Sequence, residues 1–237
     1  MRRLLIFLKY PTPGEVKTRL AATLGNESAA EIYRACTEMT LERLNGFRQD
    51  AWLYVDPPAA LERTRGWVGE GWLLRPQHGA TLGERLAKAT GDAFASGAQH
   101  VVAIGTDSPW LTVQDMQDAY AALEQHDLGL GPAEDGGYYL IGLARPVPEL
   151  FDRINWGTSS VYAETVAKAH TLGLRLRCLR LGYDIDRLED LHRFLTEANN
   201  GDVSIFPSEL LQKIETSPFF NRGNLSLKSA KSFLKGG

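Results

Sequence analysis

Apolar residues along this chain gather in short unbroken runs separated by amphipathic stretches. Leu4 to Tyr10 has the length of a buried strand and stops sharply at Pro11-Thr12-Pro13-Gly14. Ser28-Ala29-Ala30-Glu31 has the capping-box pattern, because Ser28 can accept from the Glu31 backbone while Glu31 reaches back; it predicts a helix running to about Phe47. A second strand over Ala51 to Val55 ends at Asp56-Pro57-Pro58. Thr81-Leu82-Gly83-Glu84 is another capping box, followed by Leu82, Leu86, Ala89 and Ala93 on one helical face. Val101 to Gly105 is apolar without alternation, as a strand covered on both faces of a parallel sheet must be. Thr112 to about Gln125 reads as a helix with Val113, Met116, Tyr120 and Leu123 on one side. Tyr138 to Leu143 then reads as a strand, Ser159 to about Leu172 as a helix, Leu174 to Leu181 as a strand and Asp186 to about Ala198 as a last helix. Strands alternating with helices across short connections predict a three-layer, Rossmann-like α/β domain.

The pattern fails after Asn199-Asn200-Gly201, which divides the expectation into a domain over residues 1–200 and a tail over 201–237. A mobile appendage fits that tail, with a short helix around Ser208 to Glu215; a partner-binding or lipid-surface segment is the alternative. Composition agrees with one large domain, or two small ones, and excludes disorder throughout: 237 residues are 43% hydrophobic and 23% charged. The net charge of −3 provides no global field for nucleic acid or an anionic membrane. It divides into −5 on residues 1–200 and +2 on the tail, which holds five basic and three acidic side chains.

Cys36 and Cys178 form no CxxC pair, so a disulfide framework and a cysteine zinc site are both disfavoured and the reading is a reducing cytoplasm. Met1-Arg2-Arg3 before Leu4 to Leu8 imitates a signal peptide, but Lys9 cuts the apolar run short, and no stretch approaches the ~20 apolar residues of a membrane span.

Four constellations can carry chemistry. The first is Pro11 to Leu20, where Gly14 lets the backbone turn closely and Lys17 and Arg19 offer cationic donors ahead of a helix, an arrangement suited to a di- or triphosphate. Val16 stands where a Walker A loop needs glycine, and a plain Pro-Gly turn with solvated cations is the alternative. The second is Gly105-Thr106-Asp107-Ser108-Pro109-Trp110, at the carboxyl end of the apolar strand, where open α/β sheets bind ligands. Asp107 can hold Mg²⁺ there or merely open a turn, and Trp110 reads as packing.

The third is Glu134-Asp135-Gly136-Gly137-Tyr138, whose glycines let a ligand approach and whose Asp135 can add a carboxylate or orient an acceptor; it also reads as an Asp-Gly turn. The fourth is Asp184-Ile185-Asp186-Arg187-Leu188-Glu189, in which Asp186 and Glu189 fit a helix cap and Asp184 is the freer carboxylate, a second metal candidate beside Asp107. Asn155 to Ser160 reads as a glycine turn and cap whose hydroxyls can line a pocket. The five histidines form no HxH or HExxH spacing, no GxSxG elbow exists, Gly129-Leu130-Gly131 lacks the third glycine of a dinucleotide fingerprint, and aromatic and basic residues do not interleave as in nucleic-acid binding.

Taken in order, these blocks resemble the family of radical-SAM/selenodomain-associated transferases 1, also described as glycosyltransferase A-like proteins linked to arsenosugar biosynthesis. The resemblance covers nearly all of residues 1–199 and rests on Phe7 to Leu20, Gly105 to Pro109, Asp135 to Leu143 and Asp184 to Leu191; Arg187-Leu188 departs from a common Thr-Pro pair. It implies the nucleotide-diphospho-sugar transferase superfamily, with a glycosyltransferase-A fold and a mostly parallel sheet. On that analogy Gly14, Lys17 and Arg19 contact base or phosphates, Asp107 holds a divalent ion (Mg²⁺ or Mn²⁺) and Asp135 faces the acceptor; the expected sites add Pro13 and Thr106 for the nucleotide, Asp184 for the ion, and Gly136, Gly137 and Tyr138 for the acceptor. Lys17, Arg19, Asp107 and Asp135 are the expected catalytic set. The expected partners are a nucleotide sugar or nucleoside triphosphate and a small acceptor. Glycosyl transfer from a nucleotide sugar ranks first, nucleotidyl transfer releasing pyrophosphate second, and a non-catalytic nucleotide-binding role third.

Overall fold

A computed structural model describes residues 1–197 together with Phe206 and Leu211. The predicted tail helix at 208–215 and most of the tail lie outside the described residues. The chain forms two compact units, one of Met1–Tyr10 with Thr40–Asp184, the other of Pro11–Met39 with the described residues from Ile185 onwards.

The first unit holds a seven-stranded sheet: β1 (Arg2–Lys9), β2 (Ala51–Asp56), β3 (Leu73–Pro76), β4 (His100–Ile104), β5 (Leu128–Pro132), β6 (Tyr138–Leu143) and β7 (Leu176–Cys178), in the order β3-β2-β1-β4-β6-β5-β7. Only β6 runs against its neighbours; the pairs β1–β2, β1–β4, β2–β3 and β5–β7 are parallel. Along β1 successive side chains go to opposite faces, so an unbroken apolar run is buried on both. Leu4, Ile6 and Leu8 join a core with Leu53, Val55, Val102, Met116 and Tyr120. Leu5 joins another with Trp52, Tyr54, Val101, Leu86, Ala89 and Ala93. Helices α3 (Leu61–Val68) and α5 (Val113–Ala122) supply the first core, while α4 (Leu82–Ala95) and α6 (Val161–Thr171) supply the second. This is the predicted three-layer α/β architecture.

Several expectations are corrected. The helix signalled by Ser28 starts earlier, as α2 (Asn26–Arg43), with Ser28 buried in its first turn, and α1 (Thr18–Leu24) precedes it. The chain from Asn45 to Asp50 tightens into a 3-10 turn instead of continuing the helix to Phe47. Leu82 and Val113 are exposed, because each is the first residue of its helix and has not yet turned towards the core. The Thr81 cap stands, accepting from Glu84 N at 3.2 Å. No described helix is long and apolar enough to cross a membrane.

Candidate active site

Because β6 alone is reversed, the turn that leads into it stands at the same end of the sheet as the exits from β4 and β7. Three predicted segments of the first unit therefore share one rim. After β4, Thr106 and Ser108 are buried and Asp107 between them is partly exposed. The Ser108 hydroxyl donates to Asp184 Oδ1 at 2.5 Å, a length expected of a hydroxyl on a carboxylate. That bond brings the second predicted carboxylate to the loop that bears the first.

The turn into β6 is held from several sides. Asp135 Oδ1 accepts from Gly137 N at 2.9 Å, Gly136 N donates to Ala133 O at 3.0 Å, and Tyr162 N donates to Gly136 O at 2.9 Å. Gly136 has φ 89°, and a Cβ there would land on the Ser159 backbone, so this glycine is required twice over. Asp135 itself is exposed. Tyr138 sends its ring to the second core beside Trp156, with centroids 6.3 Å apart, and burial pushes its phenol well above the usual range, with Thr165 opposing.

The second unit holds the basic loop. Pro13-Gly14 forms a turn closed by Glu15 N donating to Thr12 O at 3.0 Å, with Gly14 at φ 84°. Lys17 precedes α1 in the left-handed region at φ 48°, which costs a lysine about 1 kcal/mol or more. Its Nζ lies 3.0 Å from Asp186 Oδ1, and Arg19 Nη1 lies 3.4 Å from Asp186 Oδ2. The Lys17 side chain is 2% exposed and that of Arg19 60%, so one cation is built in while the other stays reachable.

Asp186 was expected to cap the last helix with Glu189. Instead α7 (Leu188–Glu197) is entered through Asp190, whose Oδ2 accepts from Asp186 N at 3.1 Å and Arg187 N at 2.8 Å. The Asp186 carboxylate is thereby released to the two cations. The sequence carried a signal for this in two carboxylates one residue apart, only one of which a cap can use. Gln77 was missed altogether. It is buried, donates through Nε2 to the carbonyls of Leu8 (3.2 Å) and Tyr54 (3.0 Å), and accepts from Arg85 at 3.2 Å, tying the carboxyl ends of β1 and β2.

Among the described residues no group of three or more His, Cys, Asp or Glu side chains is arranged to hold a metal. Mg²⁺ does not need one, since it binds through one or two carboxylates, substrate phosphate oxygens and water. Asp107, with Asp184 fixed to the adjacent Ser108, provides hard oxygen donors of that kind. A groove of about 600 Å³ beside α5 and β7, lined in part by Asp118, His126, Arg177 and Arg180, contains none of the predicted site residues.

The chain is 33% identical over 198 residues to a phosphoenolpyruvate guanylyltransferase of Sphaerobacter thermophilus, covering 79% of this chain and 90% of that protein. A protein of the same name from Chloroflexus aggregans is 29% identical over 193 residues, covering 75% and 90%. A solved structure from Desulfovibrio desulfuricans, described as a nucleotide-diphospho-sugar transferase, matches with a TM-score of 0.81 at 34% identity, over 91% of this chain and 97% of that one. Fold and likeness define the class as a transferase of the nucleotide-diphospho-sugar transferase fold. Residues 40–158 match the family described as uncharacterized protein conserved in bacteria (DUF2064), and the chain belongs to that family.

Proposed function

We propose that this transferase moves a nucleotidyl group from a nucleoside triphosphate, guanosine triphosphate first among them, to an oxygen of a small anionic acceptor. The observation behind the cation site is the Ser108–Asp184 bond, which fixes a second carboxylate to the loop that bears Asp107 and suits a phosphate-bound cation in either transfer, so the preference for nucleotidyl transfer comes from the relatives. The names of the two guanylyltransferase relatives support the same reading.

In the step proposed, an acceptor oxygen attacks the α-phosphorus, the bond from that phosphorus to the α,β-bridging oxygen breaks, and pyrophosphate leaves with the electron pair. Asp107 and Asp184 would hold Mg²⁺, which would supply Lewis-acid neutralisation of phosphate charge when bound. In the second unit Lys17 and Arg19, beside the Pro13-Gly14 turn, are assigned to supply positive charge for the phosphates, and in the first unit Thr106 is assigned to contact the nucleotide. Asp135 orients the acceptor on the backbone of Gly136, Gly137 and Tyr138.

Glycosyl transfer from a nucleotide sugar, with a nucleoside diphosphate leaving, is the second reading. It is supported by the description of the 34%-identical structure and agrees with the narrower arsenosugar-type resemblance. The same residues serve both reactions, so the leaving group decides. With Mg²⁺ and phosphoenolpyruvate or other small phosphorylated and carboxylated acceptors, guanosine triphosphate should yield pyrophosphate. Release of nucleoside diphosphate from a nucleotide sugar instead gives the second reading. Asp107→Asn should lower turnover about a hundredfold or more with the fold intact, and Lys17→Ala or Arg19→Ala should weaken nucleotide binding about tenfold. Full activity of the Asp107 variant removes the metal assignment.

A further inference from the structure

Trp110 is partly exposed on the rim, two residues beyond Ser108, and its contacts converge on the segment that ends in Asp184. Its Nε1–H donates to the Tyr183 carbonyl at 2.6 Å. Its ring meets Tyr139 edge-on with centroids 4.8 Å apart and stacks with Tyr183 at 5.7 Å. A Cβ on Gly182 would overlap the Trp110 benzo ring and press on Tyr139, so the chain passes directly against the indole. The far side of the segment is held too: Tyr139 Oη donates to Arg180 O at 3.0 Å, Gly182 N donates to Pro132 O at 2.9 Å, and Gly182 O accepts from Glu134 N at 3.0 Å. The Arg180 guanidinium lies 4.2 Å from the indole centroid and is paired with Asp115, at the start of α5.

We propose that Trp110 is a positioning residue for Asp184. The loop bearing Asp107 grips the chain twice, through Ser108 on the Asp184 carboxylate and through Trp110 on the peptide group just before it, and so sets the separation of the two carboxylates from one side. The N–H bond to the Tyr183 carbonyl and the close approach of Gly182 to the ring together fix where the peptide group before Asp184 lies. The inference rests on the proposed reading of Asp107 and Asp184 as cation ligands.

Mn²⁺ titration of the full chain, read from the electron paramagnetic resonance signal of the free ion, tests it without turnover. Trp110→Phe keeps an aromatic ring and loses the N–H; it should weaken Mn²⁺ binding about tenfold, as loss of a residue that orients a ligand does. Gly182→Ala, which pushes the segment off the indole from the other side, should weaken it similarly. The Trp110→Phe/Gly182→Ala double variant should lose less than the two single losses combined, because both act through one contact. Nucleotide affinity measured without divalent cation should not change in Trp110→Phe. Wild-type Mn²⁺ affinity in Trp110→Phe, when Asp107→Asn and Asp184→Asn have lost it, overturns the positioning role alone. Wild-type affinity in the Asp107 and Asp184 variants, or no Mn²⁺ uptake by the wild-type protein, overturns the ligand reading and the proposal with it.

Discussion

Asp186 faces two cations in very different surroundings. Lys17 is almost wholly covered, so its attraction to Asp186 is little screened, whereas Arg19 is mostly in solvent and its pairing is worth little. Asp186→Asn should therefore destabilise the protein by about 1–2 kcal/mol, nearly all of it through Lys17. In double-mutant cycles the Asp186–Lys17 coupling should reach about 1 kcal/mol or more and the Asp186–Arg19 coupling about 0.5 kcal/mol or less. Equal couplings would mean that both cations hold the carboxylate in solvent. The placement of single charged residues is partly legible in the sequence. Lys17, Arg19, Asp107 and Asp184 stand out because charge beside a sharp strand end has few structural uses. Asp186 is not legible, because its spacing to Glu189 also satisfies a cap, and a pattern with two local solutions does not reveal which one a distant lysine selects.

Elements bounded by strong local chemistry were readable, and those held by tertiary contacts were not. β4 and β6 were found from unbroken apolar runs. β5 was not, because Leu128–Pro132 carries two glycines, and glycine weakens a strand unless something needs the space. Here something does: a Cβ on Gly131 would overlap the Tyr139 ring. β3 has only four residues, Leu73 is exposed, and α3 contains Gly66, so neither shows a clear period.

The start of α5 shows how a local cap acquires a distant role. Thr112 and Asp115 complete a capping box, and the same Asp115 carboxylate holds Arg180. Burial works to raise the Asp115 carboxyl, but hydrogen bonds from Arg180 and Thr112, with the guanidinium charge, outweigh it and leave it below the usual carboxylate range. A depressed carboxyl contributes stability that is fully present above its unfolded value of about 3.9 and is lost as pH falls through the folded value. Acid titration of the melting temperature should therefore show a smaller acid-induced loss in Asp115→Asn than in wild type, alongside lower stability at neutral pH. Parallel pH curves for the two proteins would mean that other carboxylates carry the acid limb.

At the scale of the whole molecule, local pattern identified the layers but not which distant stretches associate. The chain leaves the sheet-bearing unit after Tyr10, returns at Thr40 and leaves again after Asp184, and no periodicity marks those crossings. Composition drew a line near residue 200 instead, because apolar spacing becomes irregular there. Phe206 lies beyond that line, yet it is 3% exposed and meets Phe194 edge-on, with centroids 6.3 Å apart. Phe194 sits on the buried face of α7 with Leu191 and Leu195, so the aromatic pair extends the apolar side of the same helix. An aromatic ring buried this fully contributes about 3 kcal/mol through transfer and the cavity that its loss leaves. Phe206→Ala should lower the stability measured by urea unfolding by about that amount, while Phe206→Leu should recover roughly half or more of it. If Phe206→Ala unfolds at the wild-type urea midpoint, residue 206 is no part of the folded body, and a boundary near residue 200 then describes the protein better than its contacts do.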